Sequence, residues 1–484
     1  MGGFYKRLGS VAGNTAAAAA GRIIAGGFAF IAIALLARAL GPDSFGEYSA
    51  ILATLYLFNA AADLGLYNYL SREIAVSENP SLLWGNVLGV RLAALTVFLG
   101  LGSIVTLVVL GLSEASFAAL ILAAALFAIQ SVTQLVLAVL QKHLAVHSAA
   151  AAEVVARILQ VVLTLFVAIR VPTIEAFIGV LVLSSLVQLL MTLGAAKQFI
   201  TLRPEWFSAH WLTIIKETIP IGISLIFTLI YFRLDTVLLA ILRTDREVGV
   251  YNLSYKVLEN LIFFPAMFTG LLMPKIARAA ANNMPREVQK IVTFACTVVV
   301  AGALPMVVGG WFLAQPLVAV LGGGAFLEAA VPLRILLFAT ALIFLGTALG
   351  TTTIALGLQK KAMWVYLVAM VFNVSVNLIA IPSFGYYAAA LVTVATELLV
   401  DLGLLCVLFP VVRPNIRARA LGAIVVATAV MAVPLVLFAA PLFDAVGAFA
   451  LVPFLVGCPL LFASVFLALG GISPEDRALL FTHT

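Results

Sequence analysis

The chain has 484 residues, 64% of them hydrophobic and only 10% charged, with a formal net charge of +6 and a mean hydropathy of +1.19. A water-soluble protein of this length needs far more charge to cover its surface. A soluble enzyme and a nucleic-acid-binding domain are therefore excluded, and strand periodicity is absent, which excludes a β-barrel.

Apolar runs long enough to cross ~30 Å of hydrocarbon recur from end to end. They predict an all-α integral membrane protein with about fourteen transmembrane helices. The first six fall at 15–40, 48–70, 85–112, 116–140, 152–169 and 174–196. The other eight fall at 217–242, 248–273, 288–313, 329–356, 362–381, 386–409, 421–440 and 446–469. With the N-terminus placed in the cytoplasm, seventeen of the 27 Lys and Arg residues lie on inner segments and five on outer ones. That bias follows the positive-inside rule and predicts that both termini are cytoplasmic. The remaining five, Arg22, Arg91, Arg157, Arg233 and Lys256, lie within spans. The first span is too long for a cleaved signal peptide, and its Ala-rich run comes at its start. Cys296, Cys406 and Cys458 all lie in apolar spans and imply no disulfide framework. The longest connector, 197–216, carries Trp206 and Trp211 and reads as an amphipathic segment at the interface.

The chain echoes itself. FGEYSA (45–50) follows span one, and VGVYNL (248–253) follows span seven, with Gly46 matching Gly249 and Tyr48 matching Tyr251 at an offset of 203. Leu-Gln-Lys at 140–142 recurs at 358–360. These echoes predict two pseudo-symmetric six-helix bundles related by an axis along the membrane normal, a transporter plan with the substrate site between the halves. The expected divisions are 1–196, a linker over 197–216, a second bundle over 217–412, and two additional helices with a tail over 413–484.

The turn LGPDSFGEYS (40–49), ADLGL (62–66), SREIA (71–75), YFRLDTVLLA (231–240), VGVYNLSYK (248–256) and NVSVNLIAIPSFGYYAAALVT (373–393) together resemble the polysaccharide-transporter, or Wzx-type flippase, family. This family is related to multidrug exporters and lipid II flippases. The resemblance covers essentially the whole chain. It implies two bundles around a V-shaped central cavity, alternating access, and a cargo of oligosaccharide on a polyprenyl pyrophosphate carried to the outer leaflet of the plasma membrane. Membrane lipids and polysaccharide polymerase machinery are the further partners it suggests, and it implies no enzymatic activity. The lipid II flippases carry cavity arginines on their first, second and eighth helices. Arg22 falls at the first of these places and Arg72 near the second, while the third is a lysine, Lys256. The last two helices are similar to the pair that forms a lipid-tail groove in those relatives.

The charges within the spans admit two readings each. A bare cation in hydrocarbon costs about 2.5–3.5 kcal/mol on insertion scales. Arg22 lies about 10 Å above the inner boundary, and Asp63 about 22 Å below the outer one, at a similar depth. Arg22 either pairs with Asp63 or faces the cavity, where a guanidinium fork suits a pyrophosphate. Arg233 and Asp235 diverge on their helix and need separate partners; Arg233 is expected to snorkel outward. Lys256 meets either Asp235 or Glu259. Glu397 and Asp401 share a face near mid-membrane and are candidates for Na+ or H+ coupling, against burial with one acid neutral. Asn373 and Asn377 share a face and either cross-link helices or line a sugar path. No metal cofactor is expected; His143 and His147 lack a third ligand. The rival function is a cation-coupled multidrug exporter of the same superfamily.

Overall fold

The computed structural model describes residues 2–111, 114–143, 145–206, 210–414 and 416–473, and side chains from 26 onward apart from 114, 115, 146, 220, 221, 223–225 and 228. Every regular element described is helical. In chain order these are α1 (Gly2–Asp63), α2 (Leu66–Val76), α3 (Pro80–Leu110), α4 (Glu114–Lys142), α5 (Val146–Arg170), α6 (Ile174–Ala196) and α7 (His210–Leu242). They continue with α8 (Asp245–Leu261), α9 (Phe263–Ala281), α10 (Pro285–Gly322), α11 (Ala330–Ala355), α12 (Gln359–Leu408), α13 (Ala418–Val446) and α14 (Leu451–Ala468). Ten helical stretches among the described residues are long and apolar enough to cross a membrane, so the chain is a multi-pass membrane protein.

Helix ends are written in the sequence. Asn79 accepts from the Leu82 N–H at 3.1 Å, with Pro80 opening α3. Thr173 accepts from the Ala176 N–H at 3.3 Å to start α6. The long helices α1 and α12 are each bent into two limbs, by Gly41 (φ 71°) before Pro42 and by Gly385 (φ 55°) after Pro382. Each glycine supplies a left-handed φ that an L side chain resists. Threonine hydroxyls within the spans are satisfied by the carbonyl four residues back, as at Thr54, Thr106, Thr340 and Thr428. That bond lets a polar side chain sit in hydrocarbon.

The chain forms two compact units, residues 1–249 and 250–484. In the first, Leu66, Leu70, Trp84, Val87, Leu135, Val139 and Ile214 share one core at the end of α2. In the second, α13 and α14 pack on α10: Ile424, Ala427 and Leu435 meet Phe454 and Phe462, with Ala301 and Leu313 beneath.

Two expectations change in detail. The second span is not continuous over 48–70, because the helix breaks at Leu64 (φ 45°) and Gly65 (φ 79°). The connector after α6 carries neither helix nor strand over 201–206 and docks on α3. The Glu205 N–H donates to the Gly85 carbonyl at 2.9 Å, and a Cβ at Gly85 would stand 2.6 Å from the Arg203 carbonyl oxygen. Glycines at 85 and 89 open the groove that takes this backbone.

Candidate functional site

The helix break at 64–65 is held by several contacts within the first unit. Asp63 ends α1, and Arg91 of α3, fully buried, donates to Asp63 through Nη1 and to Gln134 Oε1 of α4 through Nη2 at 3.2 Å. The Arg91 Nε–H has no partner among the described residues. Gly222 of α7 lies against the same turn, where a Cβ would stand 2.6 Å from the Leu64 carbonyl carbon. A charge pair, an amide and a glycine contact thus converge on a strained residue inside the apolar layer. The Asp63 side chain keeps 21% of its exposure, so the acid is partly accessible.

Arg22 lies on the first limb of α1, and its side chain falls outside the described residues. The partner that the structure gives Asp63 is Arg91, an in-span cation that carried no assignment from sequence. Arg72 sits on α2 with its side chain 61% exposed, 2.7 Å from Glu73 and 3.5 Å from Glu217 of α7. Of the two partners weighed for Lys256, Glu259 is in place, three residues on along α8 at 2.9 Å. Both side chains of that pair are part-exposed. The Arg233 guanidinium lies over the Tyr56 ring, 4.8 Å from its centroid, in a cation–π contact. Asp235 is buried on α7.

In the second unit the two limbs of α12 are joined by polar side chains. Asn377 Nδ2 donates to Asn373 Oδ1 at 3.2 Å, and Asn373 Nδ2 donates to Thr396 Oγ1 at 3.1 Å. Both asparagines are fully buried. Glu397 and Asp401 follow on the same limb and are also buried, at 3% and 2% exposure. Among the described residues no cluster of three His, Cys, Asp or Glu could hold a metal.

Near the start of α8, the echo seen in the sequence becomes a contact. A Cβ at Gly46 would overlap the Asp245 carbonyl, and a Cβ at Gly249 would overlap the Pro42 carbonyl. The contact is reciprocal, since Pro42 and Asp245 are separated by the same 203 positions as the two glycines.

The polysaccharide biosynthesis protein family model matches residues 11–280. The chain belongs to this family. A second model, MatE, matches residues 220–379. Among curated proteins, a probable low-salt glycan biosynthesis flippase, Agl15 of Haloferax volcanii, is 22% identical over 377 residues, covering 77% of this chain and 78% of that protein. Among solved structures, the lipid II flippase MurJ in an inward closed conformation aligns with a TM-score of 0.74 at 14% identity, over 96% of this chain and 99% of that one. An inward-facing multidrug resistance MATE family transporter of the MOP superfamily aligns at 0.61 and 13% identity, over 79% and 93%. The likeness to these two structures is one of fold. Within the family, the break at 64–65 falls in the motif ADLGL, and the glycine contact falls in the turn around FGEYSA.

Proposed function

We propose that this family member is a flippase for a lipid-linked glycan precursor, carrying an oligosaccharide on a polyprenyl pyrophosphate from the cytoplasmic to the outer leaflet of the plasma membrane by alternating access. The observation that carries this reading is the family match over residues 11–280. The name of the Haloferax relative and the MurJ-like fold over nearly the whole chain support it. On this reading α1, with α2 continuing its second limb, and α12 each cross twice, α8 and α9 together cross once, and every other helix crosses once, which gives fourteen crossings with both termini in the cytoplasm. The reciprocal Gly46–Gly249 contact supports a repeat of two bundles with α13 and α14 appended.

Arg22, Arg72 and Lys256 are the cations assigned to the pyrophosphate. A headgroup with several negative charges needs several donors, and guanidinium groups meet it in forked pairs. Arg72 and Lys256 each hold an acid on their own helix that a better anion can displace, because part-exposed ion pairs are worth only about 0–1 kcal/mol. The membrane potential supplies about 2.3 kcal/mol per charge per 100 mV to such a cycle. Flipping of a fluorescent polyprenyl-pyrophosphate sugar in proteoliposomes tests the proposal, with Arg22→Ala expected to slow it.

The MatE match over residues 220–379 favours a second reading, export of organic cations. Such a cargo calls for acids rather than arginines along its path, so drug efflux unaffected by Arg22→Ala is the outcome that selects it.

A further inference from the structure

Asp401 on the second limb of α12 is buried, and neither of its carboxylate oxygens has a hydrogen-bond partner among the described residues. Among the described residues no ion pair involves it. The backbone of α11 passes directly in front of it: a Cβ at Gly346 would stand 2.7 Å from Asp401 Oδ1. The titratable groups within electrostatic reach are Cys296 of α10, Tyr366 on the first limb of α12, and Glu397 one turn earlier on the second limb. From α11 the facing residue is a glycine. Each of these groups is neutral or acidic.

An ionised carboxylate held there would be taken out of water with nothing in return, at a cost of several kcal/mol, beside a second acid of the same sign. A metal cation does not solve the problem. Hard cations want about six oxygens, and among the described residues no group of three His, Cys, Asp or Glu could hold one. A proton needs only one oxygen. Other polar side chains line the same face. Thr393, Thr396, Glu397 and Asp401 lie on one face of the limb, at i, i+3, i+4 and i+8. Thr393 meets the Tyr251 hydroxyl at 3.4 Å, and Thr396 accepts from Asn373. A polar seam therefore leads away from the acid for about 12 Å of helical rise.

We propose that Asp401 is a proton-binding site, taking a proton from water to become a neutral acid, and that its loading and release drive the transport cycle, the second clause resting on the flippase reading. The pyrophosphate cations and this acid then do separate work. The cations meet the cargo, and the acid meets the proton gradient.

The site is tested directly by infrared spectroscopy of the full-length protein in lipid nanodiscs. At neutral pH a carboxylic-acid C=O band is expected, shifted by isotope-labelled aspartate and lost in Asp401→Asn. Asp401→Asn is close in shape and neutral, so it is expected to unfold at a temperature no lower than native; Glu397→Gln is expected to retain the band. In proteoliposomes, an imposed pH gradient is expected to change native flipping several-fold and to leave the rate of Asp401→Asn indifferent to the gradient. Absence of the band overturns the site. A band removed by sodium at constant pH overturns the proton assignment. Native flipping that ignores a pH gradient overturns the coupling. A retained band without flipping of any pyrophosphate lipid supports the site and removes the flippase reading instead.

Discussion

Arg91 of α3, with no exposed surface, holds Asp63 at the end of α1, one residue before the helix breaks at Leu64. The pair fixes the backbone where the chain leaves α-helical geometry inside the apolar layer. Removing one partner of a buried pair leaves the other charge uncompensated, typically at a cost of about 3–5 kcal/mol. Arg91→Gln is expected to lower the unfolding temperature of the purified protein sharply. Arg91→Gln with Asp63→Asn is expected to recover part of the loss, since no bare charge then remains. A single variant as stable as native would show that the pair is not what holds the break.

Gly46 and Gly249 are expected to tolerate no side chain. Each Cβ would overlap a carbonyl of the opposing turn, and relief requires the backbones to part. Gly46→Ala and Gly249→Ala are each expected to cost about 1–3 kcal/mol, as overpacking does. The double variant should cost little more than the larger single one, because both relieve the same contact. Thermal unfolding of the four proteins checks this, and full additivity would argue against a shared contact.

The connector at 201–206 should come away from α3 when its groove is filled. Gly89→Val places a branched side chain where the Glu205 carbonyl and the Trp211 ring now lie. Limited proteolysis is expected to cut the variant faster near residue 205, while cleavage elsewhere stays as in the native protein. Equal rates at that segment would mean the docking is dispensable.

Lys256 and Glu259 separate stability from transport. Their pair is part-exposed, so Lys256→Ala is expected to shift stability by no more than about 1 kcal/mol. Flipping by the same variant is expected to fall by about tenfold, the effect of losing one charge-assisted contact of ~1.4 kcal/mol. A stable variant with unchanged flipping would remove Lys256 from the site.

Hydropathy made the membrane class legible, because runs of about twenty apolar residues have no other home. The bends at Gly41 and Gly385 were readable too, since Gly41 precedes Pro42 and Gly385 follows Pro382 by three residues, each between two apolar runs. The break at Leu64–Gly65 was not. It lies inside an apolar run, and Asp63 beside it is held by Arg91, 28 positions further on and on another helix. A signal did exist: an arginine within a span demands an acid, and Asp63 is one of few available. That Arg91 meets it is seen only in the packing of α1 against α3. The repeat echo placed Gly46 and Gly249 in register, but their mutual contact depends on tertiary approach that no local pattern encodes. The same holds for Asp401. Sequence put it beside Glu397 on one face, yet only the structure shows that α11 meets it with a glycine.

The central claim is tested most directly by flipping in proteoliposomes. A short-chain fluorescent polyprenyl-pyrophosphate sugar is offered to native protein and to Arg22→Ala, inserted in equal amounts, and its exposure to a membrane-impermeant quencher is followed. The account predicts rapid exposure of the inner-leaflet pool with native protein and slow exposure with the variant. Equal rates for the two proteins, or no flipping of any pyrophosphate lipid together with efflux of organic cations, would contradict it.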